Sequence, residues 1–468
     1  MKRYSNYIAV LLILLLMGCK VSQDVPVPQD IPMAYRNTFA TDTTTVADIK
    51  WNRFFTDPQL QELIGRAIAG NNDLQIAIKN IEASRAMLRQ SKWGQVPQLS
   101  VGVTANTSIP SQNSLNGISI KSFLNTSHIE DYNAGGTLSW EADIWGKISS
   151  RKKEALAAYL QTEEAKKVVQ ANVVSAVAQG YYNLLMLDAQ LSVAVKNRGL
   201  SENTVNMVNR QFDAGQVTHL AVEQAEAQRL RAAQIVPQLE KEIILQENAL
   251  SLLTGTMPAE VSRSGSMDMA QLHDSLPTGV PATLLSHRPD VKAQEYELKA
   301  ANARVGIAKA SMYPALNITA GGGVNSFKSN NWFNMPASLF GMVAGSLTQP
   351  LLQGRRLRTQ YEVAKTQREI AVIGFRQQVL VAVGEVSDAL AEIEKLKEEQ
   401  AFAKDRVANL QRAVSNADKL FASGLATYLE VITAQSNVLQ SELDLAAVKR
   451  NQFSAEVQLY KALGGGWN

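Results

Sequence analysis

One cysteine in 468 residues means that no disulfide within the chain can staple it, so its fold must rest on burial and hydrogen bonding. Histidine is equally sparse: His128, His219, His273 and His287 show no His-Glu-x-x-His spacing and no paired ligands, which speaks against a metal centre. A phosphate loop is missing too, because Gly146-Lys147 has no glycine five positions before its own and is followed by Ile148. Gly321-Gly322-Gly323 lies inside an alternating strand pattern and reads as close packing instead. With 46 basic and 43 acidic residues, the net charge of +3 falls to +1 once Lys2 and Arg3 are set aside, so there is no electrostatic footprint for nucleic acid. No catalytic constellation emerges, and an enzyme is not expected. Past Leu16 no apolar run approaches the ~20 residues of a membrane-spanning helix, leaving strands or an attached lipid as the expected membrane contacts.

What is present starts with Lys2 and Arg3, an apolar run from Ile8 to Leu16, and Leu16-Met17-Gly18-Cys19. This reads as a secretory signal over residues 1–18 ending in a lipobox, with a covalent lipid expected on Cys19 and no other cofactor. Lys20 follows, not the aspartate that retains many bacterial lipoproteins at the inner membrane, so the outer membrane is favoured. Residues 19–54 are then a lipidated N-terminal linker. With 46% hydrophobic and 19% charged residues, the rest can bury a large core.

That remainder is a repeat. Phe212-Asp213-Ala214-Gly215 with Leu220, Val222 and Ala225 returns as Phe421-Ala422-Ser423-Gly424 with Leu429, Val431 and Ala434, every pair offset by 209. Gly146-Lys147 and Gly354-Arg355 match at 208, and Val96-Pro97 and Tyr313-Pro314 at 217. The first repeat covers 55–255, the second 283–464, with a Pro, Gly and Ser-rich connector at 256–282 and a tail at 465–468. In each, two long helices are expected, at about 147–212 and 217–253, then about 354–421 and 426–463. Their apolar positions follow a 4-3 spacing (Val379, Val383, Val386, Leu390, Ile393), the mark of a coiled-coil seam. Gly215 and Gly424 stand where a left-handed cap would reverse the chain, and Pro237 is expected to kink its helix. Elsewhere the period drops to 2: Leu99, Val101 and Val103 alternate with Ser100, Gly102 and Thr104, and Leu138, Trp140 and Ala142 with Thr137, Ser139 and Glu141. Strands are expected at about 98–107, 134–145, 315–325 and 338–349, with long polar loops from Ser108 to Asn133 and from Ser326 to Ala337. Alternation over ~10 residues is the pattern of a transmembrane barrel strand. Four strands cannot close a barrel, so an oligomer follows, although its copy number does not.

Particular residues resemble the TolC-like outer-membrane efflux proteins, lipoprotein branch (OprM/NodT type), over essentially the whole mature chain. They are Arg288-Pro289-Asp290-Val291 with Ala300-Ala301-Asn302-Ala303 and Tyr313-Pro314-Ala315-Leu316; Gly424 with Tyr428-Leu429-Glu430-Val431 and Ala434-Gln435; and Leu459-Tyr460-Lys461-Ala462-Leu463-Gly464-Gly465-Gly466-Trp467. The resemblance implies a mostly α, α+β membrane protein: a homotrimer with a 12-stranded transmembrane β-barrel in outer-membrane lipid and a periplasmic α-barrel of coiled-coil helices. It also implies a periplasmic adaptor protein and an inner-membrane resistance-nodulation-division pump as partners, with small molecules as cargo. The turns at Gly215 and Gly424, with Leu220 and Thr427, become the tips that meet the adaptor. Leu429 falls where the family narrows its duct, and Thr433 stands where relatives often carry an acid, so an acidic ring is not expected there; Glu430 is nearby but would point elsewhere on its helix, and Glu223 and Glu226 of the first repeat are the carboxylates that could supply charge instead. Two other readings stay open: a type I secretion or metal-efflux duct of the same fold, and a non-spanning periplasmic coiled-coil scaffold.

Overall fold

The structure, a computed structural model, describes residues 35, 45–263, 267, 272–273 and 276–468. The expected signal segment, Cys19 and Lys20 lie outside the described residues. In chain order the main elements are α1 (Pro58–Gly70), α2 (Asn72–Trp93), β1 (Gln98–Ser108), α3 (Leu115–Leu124), β2 (Ile129–Ala142), α4 (Lys147–Asp213) and α5 (His219–Leu253). They continue as α6 (Pro289–Ala310), β3 (Ala315–Ser326), β4 (Leu339–Thr348), α7 (Arg356–Ala422) and α8 (Tyr428–Ala462). The repeat is carried into element length: α4 and α7 each have 67 residues, α5 and α8 each have 35, and α2 and α6 each have 22.

The chain divides into two compact units. The first gathers residues 82–160 and 295–373 and holds the sheet, four antiparallel strands in the order β1-β2-β3-β4. Register shows why the alternation matters. Ser139 faces Gln98 and Thr319, while Leu138 faces Leu99 and Ala320, so polar residues share one face and apolar residues the other across β1, β2 and β3; β4 departs from this by placing Phe340 and Met342 on the polar face. On the apolar face Leu99, Val101, Val103, Val343 and Leu347 are all at least two-thirds exposed, a surface that water would not leave uncovered.

Two expectations need correcting here. β2 runs from Ile129 to Ala142, not 134 to 145, because Glu130 and Ile129 pair with Thr107 and Ser108 at one end. At the other end the Asp143 carboxylate leaves the ladder to accept the Ile148 and Ser149 N–H groups, each at 2.8 Å, at the start of α4. The first interstrand segment is also not simply a loop, since it contains α3, capped by Ser114.

The second unit gathers the described residues within 35–81, 161–294 and 374–468. Its core is made by Leu60, Ile64, Tyr181, Leu184, Leu250, Leu459 and Tyr460, all essentially inaccessible. The C-terminal motif is therefore a packing motif. Tyr460 stacks on Phe54 with centroids 4.1 Å apart, and Trp467 lies under the Lys167 ammonium at 4.5 Å. α5 is continuous through Pro237, which supplies no N–H to the carbonyl of Ala233. The absence of any apolar run of spanning length also needs amending: α7 contains one stretch that passes by length and composition, and little of it is buried. Its Ile370, Ile373 and Leu380 are each more than 60% exposed.

Candidate functional site

In the sheet, the direction of bending identifies an inner face. A Cβ added to Gly135 would meet the Gly322 carbonyl oxygen at 2.9 Å, and one on its partner Gly323 would fall against the Ala134 carbonyl and the Gly135 Cα. Both point to the polar face. On the apolar face Gly136, Gly322 and Gly341 would meet nothing nearer than 3.5 Å. Gly102, on the polar face of β1, meets nothing within 4 Å, so the crowding lies between β2 and β3; there the sheet bends toward its polar side, and glycine is what permits it. At one end of the polar face a cleft of about 410 Å³ is lined by Glu141, Lys147, Arg151, Asn317, Thr348 and Arg356. Lys147 neutralises Glu141 at 2.8 Å, leaving Arg151, Arg356 and the Asp143 carboxylate, which the Ile148 and Ser149 N–H groups already engage, as the other charges on the lining.

In the second unit the long helices reverse at two turns of the same construction. Gly215 donates its N–H to Phe212 O at 2.9 Å and Gln216 donates to Gln211 O at 2.8 Å; Gly424 and Leu425 repeat this with Phe421 O at 3.1 Å and Leu420 O at 2.8 Å. Both glycines are left-handed, at φ 68° and φ 74°, in open space, so backbone conformation and not crowding selects them. Behind the turns Val205, Val208, Ala221, Ala225, Phe421 and Val431 form one buried cluster, and the Tyr428 hydroxyl donates to Gln224 Oε1 at 2.6 Å. The ends of all four long helices are thus held together.

The predicted tip and constriction residues Gly215, Leu220, Gly424, Thr427, Leu429 and Thr433 all lie on the exposed side of this cluster. Leu220 and Leu429 are equally exposed, at 56%. Thr433 sits one helical turn from Leu429 and donates its hydroxyl to the Leu429 carbonyl at 2.7 Å, so the stripe presents a leucine and a methyl instead of a charge. The nearby acids are already engaged. Glu430 accepts the Thr427 backbone N–H at 2.6 Å and caps α8. Glu226 grips Arg229 with two bonds of 2.8 and 2.6 Å, and hydrogen bonding to that guanidinium holds its carboxyl below the usual range. Glu223 lies 3.4 Å from His219. Sequence reasoning missed Leu425, 77% exposed at the second turn, whose signal was the polar Gln216 at the matching repeat position. It also missed a buried polar step in which Gln435 donates to Thr204 Oγ1 at 3.0 Å and Asn197 donates to the Gln435 carbonyl at 3.3 Å.

An amphipathic sheet whose two edges are unpaired among the described residues, on a chain whose other unit is built of long paired helices, is the architecture of an outer-membrane channel protein. The profile of the outer membrane efflux protein family matches residues 63–256 and 280–465, and the chain belongs to that family. It is 31% identical over 479 residues to the probable efflux pump outer membrane protein SepC of Pseudomonas putida, covering 99% of this chain and 97% of that one. It is 28% identical to the probable outer membrane lipoprotein SilC of Salmonella typhimurium, over 94% of this chain and 93% of the relative. Among solved structures, CusC superposes with a TM-score of 0.84 at 27% identity, over 96% of this chain and all of that one. The Campylobacter jejuni channel CmeC superposes with a TM-score of 0.87 over 96% of this chain and 95% of that one; at 21% identity it speaks for the fold alone. The protein is accordingly an outer-membrane component of an efflux system.

Proposed function

We propose that three copies assemble into a passive duct that carries small molecules from the periplasm or an inner-membrane pump out through the outer membrane. The observation that carries this reading is the sheet: four strands with one apolar face, a polar face toward which the sheet bends, and edges at β1 and β4 that are unpaired among the described residues. Open edges are not tolerated in hydrocarbon, and three such sheets joined edge to edge would make twelve strands around a wet lumen. The exposed apolar face of α7 would pack against a neighbouring copy in the same assembly. The duct needs no chemistry of its own and works without a cofactor beyond the lipid on Cys19, which would anchor it to outer-membrane lipid.

In this reading the turns at Gly215 and Gly424, with Leu220 and Thr427, meet a periplasmic adaptor protein, and Leu429 with Thr433 narrows the passage. A resistance-nodulation-division pump at the inner membrane supplies the energy. Adaptor binding opens the tip to the extent that it favours the open arrangement over the closed one. Relatives named for toluene, solvent and antibiotic efflux make small amphiphiles the expected cargo. Deleting the gene should raise susceptibility to toluene and amphiphilic dyes, and a plasmid copy should restore resistance; unchanged susceptibility in a strain without a redundant duct would overturn the efflux role. Cys19→Ser should abolish palmitate labelling.

A further inference from the structure

Each long helix has a counterpart 209 residues away, α7 for α4 and α8 for α5, so a contact between the repeats can be compared with its counterpart site. Within the chain α4 packs against α8. Tyr182 stacks on Phe453 with ring centroids 4.7 Å apart, Gln190 donates to the Leu443 carbonyl at 3.1 Å, and Asn197 donates to the Gln435 carbonyl at 3.3 Å. Thr204 closes the row by accepting from the Gln435 amide at 3.0 Å. Steps of eight, seven and seven residues put all four on one stripe of α4, the spacing of a coiled-coil seam.

The counterpart stripe on α7 is Ala391, Glu399, Arg406 and Ala413, and all four are exposed. Phe402, one turn before Arg406, is 77% exposed. On α5 the counterparts of Phe453, Leu443 and Gln435 are Ile244, Gln234 and Glu226. Ile244 is 56% exposed where Phe453 is 5%, and Leu230 is 54% exposed where its counterpart Leu439 is 7%. The hairpin partners do not explain this, because α4 with α5 and α7 with α8 are hairpins of equal arms. What differs is the neighbour across the repeat: α8 has α4 there, whereas α5 and α7 leave these stripes to solvent.

Two exposed stripes that are each the counterpart of one side of a buried seam are complementary to each other, and a closed ring of copies brings them together. Resting on the assembly of copies proposed above, we propose that α7 of one chain docks on α5 of the next in the register of the internal α4–α8 pair. Ala391 lies against Ile244 of the neighbouring copy, Glu399 beside its Gln234, and Arg406 at its Glu226. A small residue meets a large one where two rings stack within the chain. A donor again meets the backbone at Glu226, because Arg406 takes the place of Asn197. Arg406 already holds Asp444 at 2.6 Å and Glu226 already holds Arg229 at 2.6 Å, so their meeting joins two cations to two carboxylates and strands no charge.

The test is thiol crosslinking of the full-length protein in outer-membrane preparations, which is clean because Cys19 is the only native cysteine. With a short bismaleimide, the double variant Ala391→Cys, Ile244→Cys should give covalent dimers and trimers on denaturing gels, and neither single variant should. Replacing the first site by Phe402→Cys moves it eleven residues, roughly 16 Å along the helix, and should lose the product. The pair Glu399→Cys with Gln234→Cys should link as the first pair does, and stands in for it should the first disturb folding. Linking through Phe402→Cys but not Ala391→Cys overturns the register. So does a lack of product from both predicted pairs in protein that an amine-reactive crosslinker still captures as oligomers. Capture of single chains only by the amine-reactive reagent would instead overturn the assembly, and the contact with it.

Discussion

The two halves of the chain repeat their geometry more faithfully than their chemistry. Asn71, just before α2, donates its amide to the last-turn carbonyl of α5, Leu253 O, at 2.9 Å. At the corresponding place before α6, Arg288 donates to the last-turn carbonyl of α8, Ala462 O, also at 2.9 Å. Asn71 needs nothing more, since its Oδ1 caps α2 by accepting from Leu74 N at 3.0 Å. Arg288, with a side chain 7% exposed, brings a buried charge and therefore a carboxylate retinue: Asp290 at 2.5 Å, itself held by Gln378 at 2.7 Å, and Glu385 at 2.6 Å. One latch is neutral and self-contained, and the other is ionic and spread over three elements. The Arg288-Pro289-Asp290 motif is thus a structural latch and not a binding site.

Removing the ionic latch should do the most damage. Arg288→Met leaves Asp290 and Glu385 without their cation, and because Glu385 is half exposed we expect the lower end of the range for a broken buried pair, about 3 kcal/mol. Asn71→Ala loses two neutral hydrogen bonds and should cost about 1–3 kcal/mol, toward the lower end. Urea unfolding of both variants measures the difference, and equal losses would erase the contrast between the halves. The second turn offers a smaller test. Glu430 caps α8, but the residue at its place in α5 is Ala221, which is buried at 1% exposure and leaves no room for a carboxylate. Glu430→Ala should cost about 1 kcal/mol and speed amide exchange at the start of α8 only.

A second pair of stations differs in what pH can do to it. Glu247 and Glu456, both nearly inaccessible, occupy matching places on α5 and α8, and each holds a residue of the segment joining the repeats. Glu247 holds Arg263, which also binds Asp188 at 2.5 Å, while Glu456 holds His273 through Nδ1 at 3.0 Å and through its backbone N–H at 3.1 Å. Hydrogen bonding to Glu456 outweighs burial and raises the His273 pKa. A raised histidine contributes stability that is complete below the unfolded value of about 6.5 and fades as pH rises through the folded value. Proteolysis of the connector should therefore quicken from mildly acidic to alkaline pH, with His273→Gln abolishing the trend. The Arg263 clasp should hold throughout, because a guanidinium does not titrate there.

Much of this could be read from the sequence because periodicity is local. The 209-residue spacing of Gly215 and Gly424 corresponds to helices of equal length, and strict alternation in β1 and β2 gives the two faces of the sheet. What escaped were features fixed by partners distant in sequence or by a choice between two local roles. The start of β2 depends on Thr107 and Ser108 being free to pair, and its end depends on Asp143 preferring two helix N–H groups over the ladder. Glu430 looked like a charge that merely pointed elsewhere on its helix, whereas it is spent on the cap of α8. The unsatisfied Oδ1 of Asn197 had no signal at all, since it exists only once α4 meets α8.

The smallest expected effect comes from the one place where the repeat slips by a residue. Helices α4 and α7 start at Lys147 and Arg356, yet the glycines before them are Gly146 and Gly354, which is why those motifs match at 208 and the helices at 209. The residue that takes the place of Gly146 is Arg355. Gly146 is left-handed at φ 71°, and in the second half Gly354 and Arg355 are both left-handed, at φ 54° and φ 62°. A residue with a Cβ pays roughly 1–2 kcal/mol in that region. Arg355→Gly removes this strain but frees the unfolded chain by roughly 0.5–1 kcal/mol, so the net gain should be about 0.5–1 kcal/mol. The mirror change, Gly146→Ala, introduces the strain and orders the unfolded chain, and should lose a similar amount. Thermal unfolding of the two single variants should therefore move in opposite directions. A loss in both would mean that the Arg355 side chain makes a contribution in the assembly larger than its backbone cost.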